Sequence, residues 1–432
     1  MGCCGVPRST DPETYLRLAC ERILLSGDRT RGMHDGDETA IIGRACIAAG
    51  ALDEATAHGV LDEYALAMAL RARQQGRMRM HRRSLAPIEG QRLSAQRVVV
   101  CDCHFERSDQ HWVLHRVLFA DDATRLDFSG TDPAWQRPDP RRRSGLVRPT
   151  RGAMNRQPIP GTLAFVDDQG TTATGHVGPS GWGGGSWESN YTTDMPLDAN
   201  TQWIEVDGTR IGLPERLPPP EVRVEEIEPM DPLRAMLYAE IMSTDRRRGG
   251  EDTVEVACRA FLAIGALGED DPLLLEIRRI AAAVASAAPV PGLSEPWASL
   301  VARFSKTDGP KGRLALGAVI DDLDGFSIRL DALTSEAGSF SISLAVSPGT
   351  ALLRFPGVDL EPPPIIWWAE DDRHNAYVAF SDQGGGSSTL AEGQVTSLAA
   401  LDPKATELRL LPTASRTRAV ITVPLAGLAE QT

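Results

Sequence analysis

The densest group of chemistry-bearing residues is Cys101-Asp102-Cys103-His104, followed by His111 and His115. Cysteine and histidine are the usual zinc ligands, but structural zinc sites space paired cysteines more widely than the single residue between Cys101 and Cys103. A strand accounts for the segment differently. If Ser108-Asp109 turns a hairpin, alternation places Val99, Cys101, Cys103 and Phe105 on one face with Trp112 and Leu114. Asp102, His104 and Glu106 then share the other face with His111 and His115. The cysteines read as small core residues, and the polar set reads as a solvated face. The alternative is one divalent metal such as zinc on Asp102, His104, His111 and His115, in a metal-dependent enzyme or metal-binding protein. The stretch 321–330, its counterpart later in the chain, holds neither Cys nor His.

An insertion at 131–161 carries Arg137, Arg141, Arg142, Arg143, Arg148, Arg151 and Arg156, with Asp139 the only acid from 137 to 156. The insertion reads either as a flexible loop balancing an acidic protein or as a contact surface, with Arg141, Arg142, Arg143 and Arg148 gripping an acidic protein surface or phosphate by bidentate hydrogen bonds. Nucleic acid is disfavoured. It calls for stacking aromatics beside the basic groups, only Trp135 lies close, and the chain carries a net charge of −14.

The third feature is the glycine-rich run 178–187, with Trp182 and Trp187. It lacks the lysine and following helix of a phosphate-binding loop, and Ser180 and Ser186 miss the nucleophile-elbow spacing. A hairpin loop is expected, with Trp182 and Trp187 at its tip, either as aromatic anchors for a partner or tucked back over the sandwich. Asp167-Asp168 and Asp371-Asp372 recur at matching places and read as a repeated turn rather than an acid–base pair.

These features sit in a chain that is written twice. Asp11-Pro12 and Asp231-Pro232 each open a helix. A polar turn follows (Arg29-Thr30-Arg31-Gly32; Arg246-Arg247-Arg248-Gly249), then a second apolar helix ending in Gly50-Ala51-Leu52 or Gly265-Ala266-Leu267, where each glycine supplies a left-handed cap. A third helix carries Val60, Leu61 and Tyr64 in the first copy and Leu274, Ile277 and Val284 in the second. Short alternating runs come next and predict an antiparallel sheet. The expected class is α+β: a tandem duplication, each copy a small three-helix unit followed by an immunoglobulin-like β-sandwich of about seven strands, with a barrel as the alternative. The boundaries are 1–84 and 85–213 for the first copy, 214–230 for a proline-rich acidic linker, and 231–305 and 306–432 for the second.

Composition sets the outer bounds. The 432 residues are 42% hydrophobic and 24% charged, ordinary for a globular protein. No run approaches the length of a membrane helix. Lysine occurs only at Lys306, Lys311 and Lys404, a codon bias that suggests a high-GC bacterium. Seven cysteines, an odd number, suit free thiols in a cytoplasm. Met1-Gly2-Cys3-Cys4 resembles a dual-acylation start, but Val6 breaks the pattern. The sequence therefore reads as a non-enzymatic binding or scaffold protein, with contacts through the loops of the first copy. A protein partner or homo-oligomer is expected rather than a small molecule, cofactor or membrane.

Overall fold

The computed structural model describes residues 11–26, 35–74, 92–107, 110–131, 159–183, 186–215, 218–243, 251–288, 290–304, 306–349, 352, 365–386, 389–397 and 399–428. Asp11 accepts the Thr14 amide at 3.1 Å and Asp231 that of Leu233 at 3.2 Å, so each carboxylate pairs an orphan N–H of the first turn. These caps start α1 (Pro12–Ser26) and α4 (Pro232–Ser243); the other helices are α2 (Asp35–Ala48) and α3 (Glu54–Gln74), then α5 (Glu251–Ala263) and α6 (Pro272–Ser286). A short further helix, α7 (Trp297–Arg303), follows in the second half, so that half exceeds the expected three. Gly50 and Gly265 stop α2 and α5 at φ of +64° and +73°. The amides of Ala51 and Ala266 turn back to the Cys46 and Phe261 carbonyls, both at 2.9 Å. This is the left-handed cap that the repeated Gly-Ala-Leu predicts.

The strands of the first half are β1 (Arg97–Arg107), β2 (Gln110–Phe119), β3 (Thr124–Thr131), β4 (Thr162–Asp167), β5 (Thr172–Gly183), β6 (Ser186–Thr193), β7 (Trp203–Val206) and β8 (Thr209–Gly212). Those that follow are β9 (Val222–Glu226), β10 (Gly312–Leu323), β11 (Phe326–Glu336), β12 (Ser339–Ser347), β13 (Ile366–Asp371), β14 (Ala376–Gly386), β15 (Ala391–Ser397), β16 (Glu407–Thr413) and β17 (Thr417–Pro424). They form two antiparallel sheets, ordered β1-β2-β3-β6-β5-β4-β7-β8 and β10-β11-β12-β15-β14-β13-β16-β17-β9. Strand for strand the two orders agree, with β9 added at the end of the second. The region expected to be a plain linker thus contributes an edge strand, β9 pairing with β17.

Neither set divides into the two facing sheets of an immunoglobulin-like sandwich. Each is one continuous hydrogen-bonded sheet that curls into a barrel-like form, bringing β1 beside β8, where Cys103 Sγ meets the Gly212 carbonyl at 3.8 Å. Alternating inward and outward residues look alike in a sandwich and a barrel, so periodicity could not separate them.

Side chains fill the interiors. In the first barrel Trp112, Phe128, Phe165, Trp187 and Tyr191 are buried, with Trp112 edge-on to Trp187 at 4.4 Å between centroids. A side chain at Gly130 would overlap the Trp187 ring, so the glycine makes room for the indole. The first barrel's core is self-contained, whereas the helices of both halves and the second barrel share another. Among the described residues the first helical unit therefore packs on its counterpart. α2 lies against α5, with buried Arg44 donating to Glu240 of α4 at 2.8 Å.

Candidate functional site

The outer face of the first barrel gathers the polar residues singled out from the sequence. β1 and β2 pair as a hairpin with Arg107 opposite Gln110. Val99, Cys101, Phe105, Trp112 and Leu114 point into the core, with Cys103 packed at its margin, as alternation predicts. The register breaks between Val100 and Cys103 on β1, opposite His115 of β2. Such a bulge re-aims side chains and is common beside functional sites.

At this bulge Asp102 Oδ1 lies 2.7 Å from His115 Nδ1, and His115 Nε2 lies 2.7 Å from Ser129 Oγ on β3. An ionised carboxylate only accepts hydrogen bonds, so Nδ1–H donates to Asp102 and Nε2 is free to accept from the Ser129 hydroxyl. The result is an Asp–His–Ser chain across three adjacent strands, partly open to solvent. Arg313 of β10 adds its guanidinium 3.6 Å from Asp102 Oδ1.

His104 and His111 lie apart from this chain, their rings stacked at 5.1 Å between centroids. His104 Nδ1 is 2.9 Å from His111 Nε2, and Glu106 takes the far nitrogen of His111 at 3.1 Å. Asp102, His104, His111 and His115 thus fall into two pairs rather than one ligand shell, and among the described residues no three His, Cys, Asp or Glu side chains converge to hold a metal. Cys101 Sγ lies 3.8 Å from the Leu114 carbonyl and Cys103 Sγ 3.8 Å from that of Gly212. The neighbouring Cys101 thiol lowers Cys103 to about 7, while Cys103 and burial raise Cys101.

The second barrel repeats the bulge without the chemistry. Val100 pairs with Arg116 and Cys103 with Leu114, as Ala315 pairs with Ala332 and Ala318 with Leu330. Leu114 in turn faces Phe128 as Leu330 faces Leu344. Asp102, His115 and Ser129 therefore correspond to Gly317, Asp331 and Ala345. Asp331 is 1% exposed and serves another purpose. It takes Arg329 Nε at 2.7 Å and pairs with Arg116 of the first barrel. Arg116 also reaches Asp127 at 2.6 Å, and Glu392 receives Arg125 and Arg329. These charges fasten the barrels together. The contact is reciprocal: Asp102 meets Arg313, while at the equivalent positions Gly317 packs on Val98. Reciprocity of this kind belongs to an approximate two-fold arrangement.

The other candidates fare differently. Arg141, Arg142, Arg143 and Arg148 lie outside the described residues. Trp182 is on β5, its backbone opposite Trp187, and its side chain is outside the described part. Trp187 is not at an exposed loop tip: it is 2% exposed, because it opens the inward row Trp187, Ser189, Tyr191 and Thr193 of β6. A core indole cannot anchor a partner without unpacking the barrel. Asp167 and Asp371 are turn clasps. Asp167 accepts the Gln169 and Thr171 amides at 3.0 and 2.7 Å, and Asp371 those of Arg373 and Asn375, both at 2.9 Å.

Ser129 escaped the sequence reading because β3 was not anticipated. The signal was present in Thr124-Arg125-Leu126-Asp127-Phe128-Ser129-Gly130-Thr131, which alternates buried and half-exposed along its length, but its glycine and two charges weaken its strand character. No helix among the described residues is long and apolar enough to cross a membrane.

No protein-family model matches the chain, and no curated protein matches it. Among solved structures it is similar to a conserved domain protein from Bacillus anthracis, at 10% identity over 73% of this chain and 77% of that one, with a TM-score of 0.17. At that score the likeness carries no argument.

Proposed function

We propose that the chain is a binding or scaffold protein built from two diverged copies of one helix-and-barrel module, meeting a protein partner or a second copy of itself through the first barrel. The observation that carries this reading is the aromatic filling of the first barrel, from Trp112 to Tyr191. Barrels that bind small molecules enclose a cavity, so a packed interior leaves the outer surface for recognition. Shared strand order, matching glycine caps and matching aspartate clasps support common ancestry of the copies. Divergence is concentrated in the first, which alone has the arginine insertion and the Asp102–His115–Ser129 chain. Arg141, Arg142, Arg143 and Arg148 would face an acidic patch on the partner.

The test is native mass spectrometry of the protein gently isolated from its own host, beside a variant with those arginines changed to serine. A stoichiometric assembly that the variant loses is expected. A bare monomer in both preparations would overturn the reading.

A further inference from the structure

We propose that Asp102, His115 and Ser129 form a nucleophilic centre that cleaves carboxylic esters on the outer face of the first barrel. This goes beyond the binding reading and departs from the expectation of a non-enzymatic protein. The contacts are those that activate a serine: a base within hydrogen-bond reach of the hydroxyl, oriented by a third group. Both distances are 2.7 Å and involve the ring nitrogens in the required order. The three residues lie on a rigid sheet, and the bulge aligns Asp102 with His115. A solvated face needs no such alignment, and the second barrel keeps the bulge with none of the three groups.

The reaction would run in two steps. Ser129 Oγ attacks the carbonyl carbon while its proton passes to His115 Nε2. The bond to the alcohol oxygen then breaks, and His115 returns the proton to that oxygen, leaving acyl-Ser129. Water attacks the acyl carbon, giving one proton to His115. The carboxylic acid leaves as the proton returns to Ser129 Oγ. Asp102 holds the Nδ1–H tautomer and faces the imidazolium formed in each step. Glu188 stands across from Ser129 on β6, which favours neutral or cationic acyl groups over anionic ones. The open setting suits a small ester or one presented on a larger molecule.

The full chain is treated with an ethoxy fluorophosphonate, which forms an Oγ–P bond with loss of fluoride, and adducts are located by peptide mass mapping. Ser129 should be labelled in the folded protein and not in urea. S129A should carry no adduct in that peptide, and H115A should slow labelling ~100-fold or more, the usual worth of a positioned base. D102N should slow it ~10-fold or more through the wrong tautomer. Hydrolysis of p-nitrophenyl acetate should fall in parallel. Should S129A fail to fold, S129C is alkylated with iodoacetamide with and without H115A, and a histidine-dependent rate is expected. Absence of a Ser129 adduct in the folded protein, or labelling equally fast in H115A, would overturn the proposal. Either failure leaves the mass-spectrometric test of partner binding untouched.

Discussion

Asp331 shows how much one carboxylate decides. It is buried between Arg116 and Arg329. Burial alone would raise its pKa, but the two guanidiniums outweigh burial and hold the carboxyl below the usual range. A depressed folded-state pKa means stability that is fully present above the unfolded value, about 4, and lost as pH falls through the lowered one. The Tm should therefore hold from pH 7 to about 5 and drop below about 4. D331N leaves both arginines without their shared partner and should cost ~3–5 kcal/mol at pH 7 in denaturant unfolding. A loss below about 1 kcal/mol would place the pair among ordinary surface bridges. At this scale the sequence was uneven. Alternation brought Asp102 and His115 face to face, while Ser129 stayed hidden because a strand with a glycine and two charges reads weakly. Trp187 misled because its glycine-rich neighbours suggested a loop, whereas the alternation of β6 turns it inward.

Secondary elements were more legible where local chemistry dictates them. Proline after an aspartate and glycine before Ala-Leu mark helix ends by backbone physics, and both halves obey. Sheet closure depends on pairings between distant strands, so one barrel and one sandwich share a pattern. Which helix packs on which was equally hidden, because a helix displays an apolar face without naming its partner. The joint between the helical units is nonetheless specific, since Arg44 of α2 meets Glu240 of α4 at 2.8 Å with both side chains buried. R44A should cost ~3–5 kcal/mol, because it takes the paired guanidinium from a buried carboxylate. R44M combined with E240M should recover most of that loss by packing apolar side chains in the same space. Chemical denaturation of the single and double variants checks this. A double variant as unstable as R44A alone would show that the charges do more than fill the joint.

At the scale of the whole molecule, the chain joins an autonomous barrel to a larger body. Among the described residues the first barrel's core contains no helical residue, while helices from both halves and the second barrel share one core. Ion pairs cross the join between barrels: Arg116 with Asp331, Arg125 with Glu392, and Asp102 with Arg313. This seam joins two apolar cores that share no side chain among the described residues, so the two can open separately. Native-state hydrogen exchange in increasing denaturant should therefore resolve two cooperative units. Amides of β1 to β8 should open together at one free energy. Those of α2, α5 and β10 to β17 should open together at a higher one, because the larger core buries more apolar surface. D331N should widen the gap by lowering the first barrel further than the rest, since that barrel loses its Arg116 tie to the larger body. Amides in both groups that merge into a single opening free energy, in the parent and in D331N alike, would mean that the seam transmits stability as fully as a continuous core and that the barrels fold as one.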